Sequence, residues 1–295
     1  MTIIEANKRE VMQKIIDGSD IDGLLRIVTK LDEQTRAEVL KAISSQLDVA
    51  KKNMHIASIR RIVKASDKEI KDWLVTAVVD SYAEGGNVMY ADLKKLHVKP
   101  AQDEGNNALL SLWTSEKIRQ IDQLSVQKDA VNALISDAYL DFANGMNGII
   151  KGAEHQLNEA LKRQIRAQQI AGQITGASMR DIAKEIKELI GDQGFSVLID
   201  RGGNQWTISR YSEMLARTHI MRSANEGVIA RLIEYGVDIA QVSTHPGACK
   251  VCVPFEGKIY SLSGQSEKYP KLDRQPPYHP YCRHTLLPRP DLIEE

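Results

Sequence analysis

Five side chains near the C-terminus have the types and spacing of metal ligands. Cys249 and Cys252 form a C-x-x-C pair, and His279, Cys282 and His284 form H-x-x-C-x-H. The first spacing lets two thiolates turn toward one ion, and the second adds a third sulfur and a choice of imidazoles. Zinc takes four such donors in a tetrahedron, and a site with no open position is structural. The expected set is Cys249, Cys252, Cys282 and His279. His284 is the alternative fourth ligand, and His245, four residues before the pair, is a weaker third choice.

A catalytic zinc would need an open position and a general base. The chain has no H-E-x-x-H, and the deaminase pattern H-x-E…P-C-x-x-C is missing because Ala248 precedes Cys249. Glu256 fits a turn before Gly257. A redox C-x-x-C belongs at the start of a helix in an alternating strand–helix pattern, whereas this one lies among turn residues. The spacing therefore predicts a structural zinc.

Proline divides the elements that must position these residues. Of nine prolines, only Pro100 precedes residue 245. Proline breaks helix interiors, so the front of the chain is free to be helical and the end is not. A loop-rich tail of this size is near the limit where a staple is needed, and a structural zinc supplies on the order of 10–16 kcal/mol in small peptides.

The front reads as amphipathic helices. Val39, Leu40, Ile43 and Leu47 form a stripe over 32–52. A second helix is expected to start at Ser66 or Asp67 and stop at Gly85-Gly86. Residues 101–107 read as a loop and a boundary. Helical stretches resume from Asn107, with breaks expected at Gly145, Gly148 and Gly152. A short helix is expected between a Ser178 cap and Gly191, with Asp181 in its first turn. Another is expected from a Thr207 cap to Gly236, with Tyr211, Met214, Leu215, Ile220, Val228, Leu232 and Tyr235 on its stripe. VDIAQVS and GKIYSLS read as short strands flanking the cysteines. The fold class is mainly α: an elongated multi-helix N-terminal region (1–105), a helical connector (106–165) and a small α+β C-terminal module (166–295) with the zinc site in its tail (about 245–290).

Composition bounds the function. Lys+Arg and Asp+Glu are both 39, and charged residues are 26% of the 295, so a broadly basic nucleic-acid surface is not expected. The most apolar run, Leu74 to Val79, falls far short of the roughly 20 residues of a membrane span. MTIIEANKRE has no signal core, and cysteines kept in a reducing cytosol are not expected to pair.

Three segments carry a resemblance. YSEMLARTHIMRSANEG (211–227), HPGACKVCVPFEGKIYSLSG (245–264) and PPYHPYCRHTLLP (276–288) resemble, in order, the motifs of the phage minor capsid or head-morphogenesis proteins typified by the F protein of phage Mu. His219 departs from that pattern, where glutamate is common; on a helix it is expected to be packed or half-exposed. The resemblance implies a virion protein carried inside the head. It would be bound to the portal protein, active in head assembly and genome delivery, with packaged double-stranded DNA and other head proteins as further contacts. Lys162, Arg163, Arg166, Arg283 and Arg289 are the basic residues available for that contact, but acids flank them, so a solvated face is expected. The alternatives are an ADP-ribosyltransferase or toxin-type enzyme and a zinc-dependent DNA-binding protein. The enzyme lacks its E-x-E pair, and the chain ends ten residues after Thr285.

Overall fold

The computed structural model describes residues 8–100, 112–114, 125–171, 196–199 and 204–292, with isolated helical positions at 180, 181, 184 and 188. Its helices are α1 (Lys8–Gly18), α2 (Ile21–Ile43), α3 (Val49–Lys95), α4 (Ser125–Ala171) and α5 (Ile208–Glu234). The strands β1 (Ser196–Ile199) and β2 (Gln205–Thr207) form an antiparallel hairpin. The strands β3 (Ile239–Val242), β4 (Ile259–Ser261) and β5 (Leu286–Pro288) form an antiparallel sheet in the order β4-β3-β5. Among the described residues, no helix is long and apolar enough to cross a membrane.

The chain divides into two compact units. One gathers residues 22–73 and 139–213, and the other gathers 1–21, 74–138 and 214–295. The first unit buries Leu24, Val28, Leu31, Val39, Ile43, Ile59, Ile149 and Leu157. The single helix expected over 32–52 is broken there. The Ser44 and Ser45 hydroxyls donate back to the carbonyls of Leu40 and Ala42, and Asp48 caps α3 by accepting from Lys51 N at 2.8 Å. Such side chains compete with helical backbone bonds. Buried Gln164 completes the break, accepting from Leu47 N and donating to the carbonyls of Ile43 and Ser45. Helix ends leave backbone groups that need such partners.

In the second unit, the expected stop at Gly85-Gly86 does not occur, and α3 runs through both glycines. Their lack of a side chain serves contact between helices. A Cβ on Gly85 would fall 1.9 Å from the carbonyl oxygen of Ala224 on α5, and one on Gly227 would fall 2.0 Å from that of Tyr82 on α3. A Cβ on Gly86 would meet the ring of Trp113 at 2.2 Å. That ring stacks on Tyr82 and lies 3.9 Å from the guanidinium of fully buried Arg231. The start expected at Ser66 or Asp67 is likewise absent, because both lie inside α3. In the other unit, α4 is unbroken through Gly145, Gly148 and Gly152, and Gly145 faces the Tyr211 ring.

The Thr207 cap forms, with Arg210 N donating to its hydroxyl at 3.4 Å, and Gly236 ends α5 with φ at 65°. Val237 N then reaches back to Leu232 O, a left-handed terminus that suits glycine. The two strands expected around the cysteines are β3 and β4. Residues 101–107, Ser178 and Gly191 lie outside the described residues.

Asp238, between α5 and β3, ties the sheet's entry to β4. It accepts from the Ser261 hydroxyl at 2.6 Å and from Ser263 N at 2.7 Å. Burial would raise its carboxyl, but hydrogen bonds from Ser261, Ser263 and Leu262 hold it below the ordinary value. A depressed carboxyl stabilises the fold above the ordinary value of about 3.9, and that contribution is lost as pH falls through the lower folded value. Asp238→Asn is therefore expected to lower stability near neutrality by ~1 kcal/mol, discounted for partial exposure. The gap to the unsubstituted protein should close in strong acid. Thermal midpoints followed from pH 7 down to pH 2 check this, and a gap that persists unchanged at the acid end would refute it.

Candidate metal centre

The tail folds over the ends of α3 and α5. Met89, Leu93, Val228, Leu232, Val237, Ala240, Val242, Tyr278 and Leu286 form one buried cluster with Cys252 and Cys282. Two thiols are thus part of a hydrophobic core, while Cys249 is exposed. The backbone makes the C-x-x-C turn directly: Cys252 N and Val253 N both donate to Cys249 O. Asn225 anchors the other arm, its side-chain amide donating to His284 O at 3.2 Å. Phe255 stacks on Tyr278 at 4.1 Å between the two arms.

Five donor side chains gather here in two overlapping groups: Cys249, Cys252 and His279, and Cys252, Cys282 and His284. Within each group the ligand atoms lie within 4.8 Å of one another. His279 Nε2 is 3.1 Å from the sulfurs of both Cys249 and Cys252. Cys252 Sγ and Cys282 Sγ are 3.8 Å apart, and Cys282 Sγ is 3.4 Å from His284 Nδ1. Two sulfurs each ~2.3 Å from a tetrahedral ion would be separated by ~3.8 Å, and a sulfur–nitrogen edge would be ~3.6 Å. The donor chemistry and spacing fit a thiophilic ion such as zinc.

The second ring nitrogens are also held. His279 Nδ1 lies 2.5 Å from Pro280 O, and His284 Nε2 lies 2.9 Å from Glu256 Oε1. A carboxylate or carbonyl behind an imidazole fixes its tautomer and aims the free nitrogen. Glu256 also accepts from His245 N at 2.7 Å. It is therefore a positioning residue for the cluster as well as part of a turn. Its position next to a glycine in the sequence pointed only to the turn, because His284 comes near it through folding. His245 is not brought to the sulfurs; its Nε2 lies 3.0 Å from Arg283 O and 3.3 Å from Ser243 Oγ.

The electrostatics separate the three thiols. Backbone hydrogen bonds from Cys252 and Val251 lower the Cys249 thiol. Burial and the neighbouring Cys282 push Cys252 far up. Burial also raises Cys282, but hydrogen bonds from His284 outweigh it and leave a net lowering. On His284, burial opposes the proton, while Cys282 and Glu256 more than restore it.

His219 is buried on α5. In the basic stretch, Lys162 pairs with Glu159 at 2.8 Å, and Arg166 is exposed. Arg289 forks onto Asp291. These are solvated ion pairs of small individual weight.

Comparison with known proteins places the chain among viral structural proteins. It is 28% identical over 82 residues to a protein described as a structural protein of Lactococcus phage LL-H; the match covers 26% of this chain and 22% of that protein. No solved structure matches. The model of phage minor capsid protein 2 matches residues 22–289. That span takes in both units and every donor of the cysteine–histidine cluster, and so the chain belongs to the phage minor capsid protein 2 family, a family of structural phage head proteins.

Proposed function

We propose that this head protein is bound to the portal vertex inside the head and acts in head assembly and in packaging or ejection of the genome. We further propose that one zinc ion, held by Cys249, Cys252, Cys282 and His279, closes its C-terminal module, with His284 as the alternative imidazole. The observation that carries the reading is family membership over 22–289. The gathering of all three thiols of the chain, two of them buried, with two imidazoles supports the metal. Bound there, zinc would supply a crosslink between the two arms. The residues themselves supply the rest: Pro280 and Glu256 orient the imidazoles, Asn225 fixes the second arm to α5, and Tyr278 and Phe255 keep water away. Nothing in this arrangement calls for turnover.

Co-expression with the portal protein of the same phage tests the location. Stable co-purification, and detection of the chain in tailless heads at a few copies, are the expected results. Heads that carry the chain all over the shell would refute the portal reading. The fourth ligand is settled separately. His279→Ala is expected to cut zinc occupancy at least tenfold, and His284→Ala to cut it less. The reverse order would make His284 the ligand.

A further inference from the structure

The tail holds its donors in two matching turns. Cys249 opens one and Cys252 closes it, with Cys252 N donating to Cys249 O at 2.9 Å. His279 opens the other and Cys282 closes it, with Cys282 N donating to His279 O at 3.1 Å. The turns meet first residue to first and last to last: Cys249 Sγ lies 3.1 Å from His279 Nε2, and Cys252 Sγ lies 3.8 Å from Cys282 Sγ. The outer pair meets solvent, with Cys249 exposed and His279 half-buried. The inner pair does not: Cys252 and Cys282 are 1% and 2% exposed and belong to the same core cluster as Met89, Leu232 and Tyr278. Access to solvent and closeness of sulfur to sulfur therefore fall on different thiols.

A disulfide brings two sulfurs to about 2.05 Å, so each inner sulfur would move by less than ~1 Å. The bond would join residues 30 apart in the chain and tie one turn to the other. A Cys249–Cys252 bond would close a single turn and tie nothing further. A crosslink between segments that the fold already holds together is stabilised by the fold in return. Its seat in the core also shields it from thiols in solution, because exchange needs access to sulfur. The inner pair lacks that same access when an oxidant arrives, and Cys249 supplies it. The Cys249 and Cys252 sulfurs lie within 4.8 Å of each other, so an oxidising equivalent taken up at the surface has a short route inward. A phage head is assembled in a reducing cell and released into oxidising surroundings. Conditions that keep three thiols reduced are thus followed by conditions that pair two of them.

We propose that Cys252 and Cys282 form a disulfide when the protein meets a peroxide, that Cys249 is the point of entry, and that this bond takes over the crosslink from the metal. The Cys249 thiol attacks the O–O bond of hydrogen peroxide, giving a sulfenic acid and one water. The Cys252 thiol then attacks the sulfenic sulfur, forming a Cys249–Cys252 disulfide, and the hydroxyl leaves with the thiol proton as a second water. The Cys282 thiol attacks Cys252 in turn, and its proton passes to the departing Cys249 sulfur. In sum, two thiols lose two electrons and two protons, and one hydrogen peroxide is reduced to two waters. The chain ends with Cys249 as a free thiol and with one of three sulfur donors left for an ion. The takeover rests on the metal reading given above; the pairing of the two thiols does not.

The test uses the full chain, purified reduced and without added metal, then freed of reductant. Hydrogen peroxide is added in the presence of a colorimetric zinc chelator, the remaining thiols are alkylated, and disulfides are located by peptide mass mapping. The expected end product is Cys252–Cys282 with Cys249 alkylated. Zinc should be released in step with the disulfide, and dithiothreitol with zinc should reverse both changes. The oxidised chain should melt about 5–10 °C above the reduced, chelator-stripped chain, the scale of one disulfide. Cys249→Ser, stripped of metal, should lose the fast phase of pairing. Cys282→Ser should stop at Cys249–Cys252 and lose the gain in midpoint. Should either variant fold poorly, mapping of the unsubstituted chain decides. A final Cys249–Cys252 bond, a bond between chains, or sulfinic acids with no disulfide would overturn the proposal. Pairing at full rate in Cys249→Ser would overturn the entry role. A chain that pairs but carries no zinc as purified would sink the metal reading and leave the pairing standing. A chain that carries zinc and does not pair would do the reverse.

Discussion

Cys252→Ser is expected to release the metal and to loosen the whole tail. Cys252 belongs to both donor groups and is 1% exposed, so a single sulfur-to-oxygen change removes a ligand common to both while leaving the packing volume nearly intact. Structural zinc is worth on the order of 10–16 kcal/mol in peptides that have no other fold. Here Cys252 and Cys282 also sit among Met89, Val228, Leu232 and Tyr278, whose burial persists without metal. The expected loss is therefore smaller, ~3–5 kcal/mol, and the midpoint should drop by roughly 10 °C for a chain of this size. Elemental analysis should find about one zinc per unsubstituted chain and almost none in the variant. Cys249→Ser, at an exposed sulfur in one group only, should fall between the two. A Cys252→Ser protein that keeps both its zinc and its midpoint would remove the metal from this account.

The second large effect is expected at Gly227. Alanine there would place a Cβ 2.0 Å from Tyr82 O and 2.9 Å from Gly86 N. Both are backbone atoms of α3, so no side-chain rotation relieves the clash, and the helices must part by more than an ångström. Overpacking in a dense core costs about 1–3 kcal/mol, occasionally more, and a backbone-on-backbone clash belongs at the upper end. Separation would also disturb Tyr82, Trp113 and Arg231, which stack across the same crossing. We expect Gly227→Ala to be poorly soluble, or to melt at least 8 °C lower, by roughly 2–4 °C per kcal/mol. Gly18→Ala is the matched control. It is the last residue of α1, with no heavy atom within 4 Å of the added carbon, so it should be neutral or stabilising by about 0.5–1 kcal/mol. Equal midpoints for Gly227→Ala and the control would contradict the close crossing.

These glycines also mark where the sequence was hard to read. Gly85-Gly86 and Gly145 look like helix stops because glycine is a poor helix former, and only the positions of Ala224, Trp113 and Tyr211 reveal that they make room for neighbours. Local signals served well where the partner is local: Thr207 caps α5, Gly236 ends it, and β3 and β4 follow their alternating patterns. The strand β5 was missed because T-L-L-P is short and ends in proline. Pro288 is tolerated there because β5 lies at the sheet's edge. The donor types of the candidate site were legible from spacing, since Cys249 and Cys252 share one turn. The role of Glu256 was not, because its partner His284 is 28 residues away.

Each of the two units is assembled from stretches that are not consecutive, and α3, α4 and α5 each contribute residues to both. No single cut along the chain, from either end, liberates one unit whole. A long truncation from either end, of the kind used to map binding regions, is therefore expected to leave at least one unit incomplete. Scissions meant to isolate a half must be made in pairs, with the severed ends rejoined by short linkers in a new order.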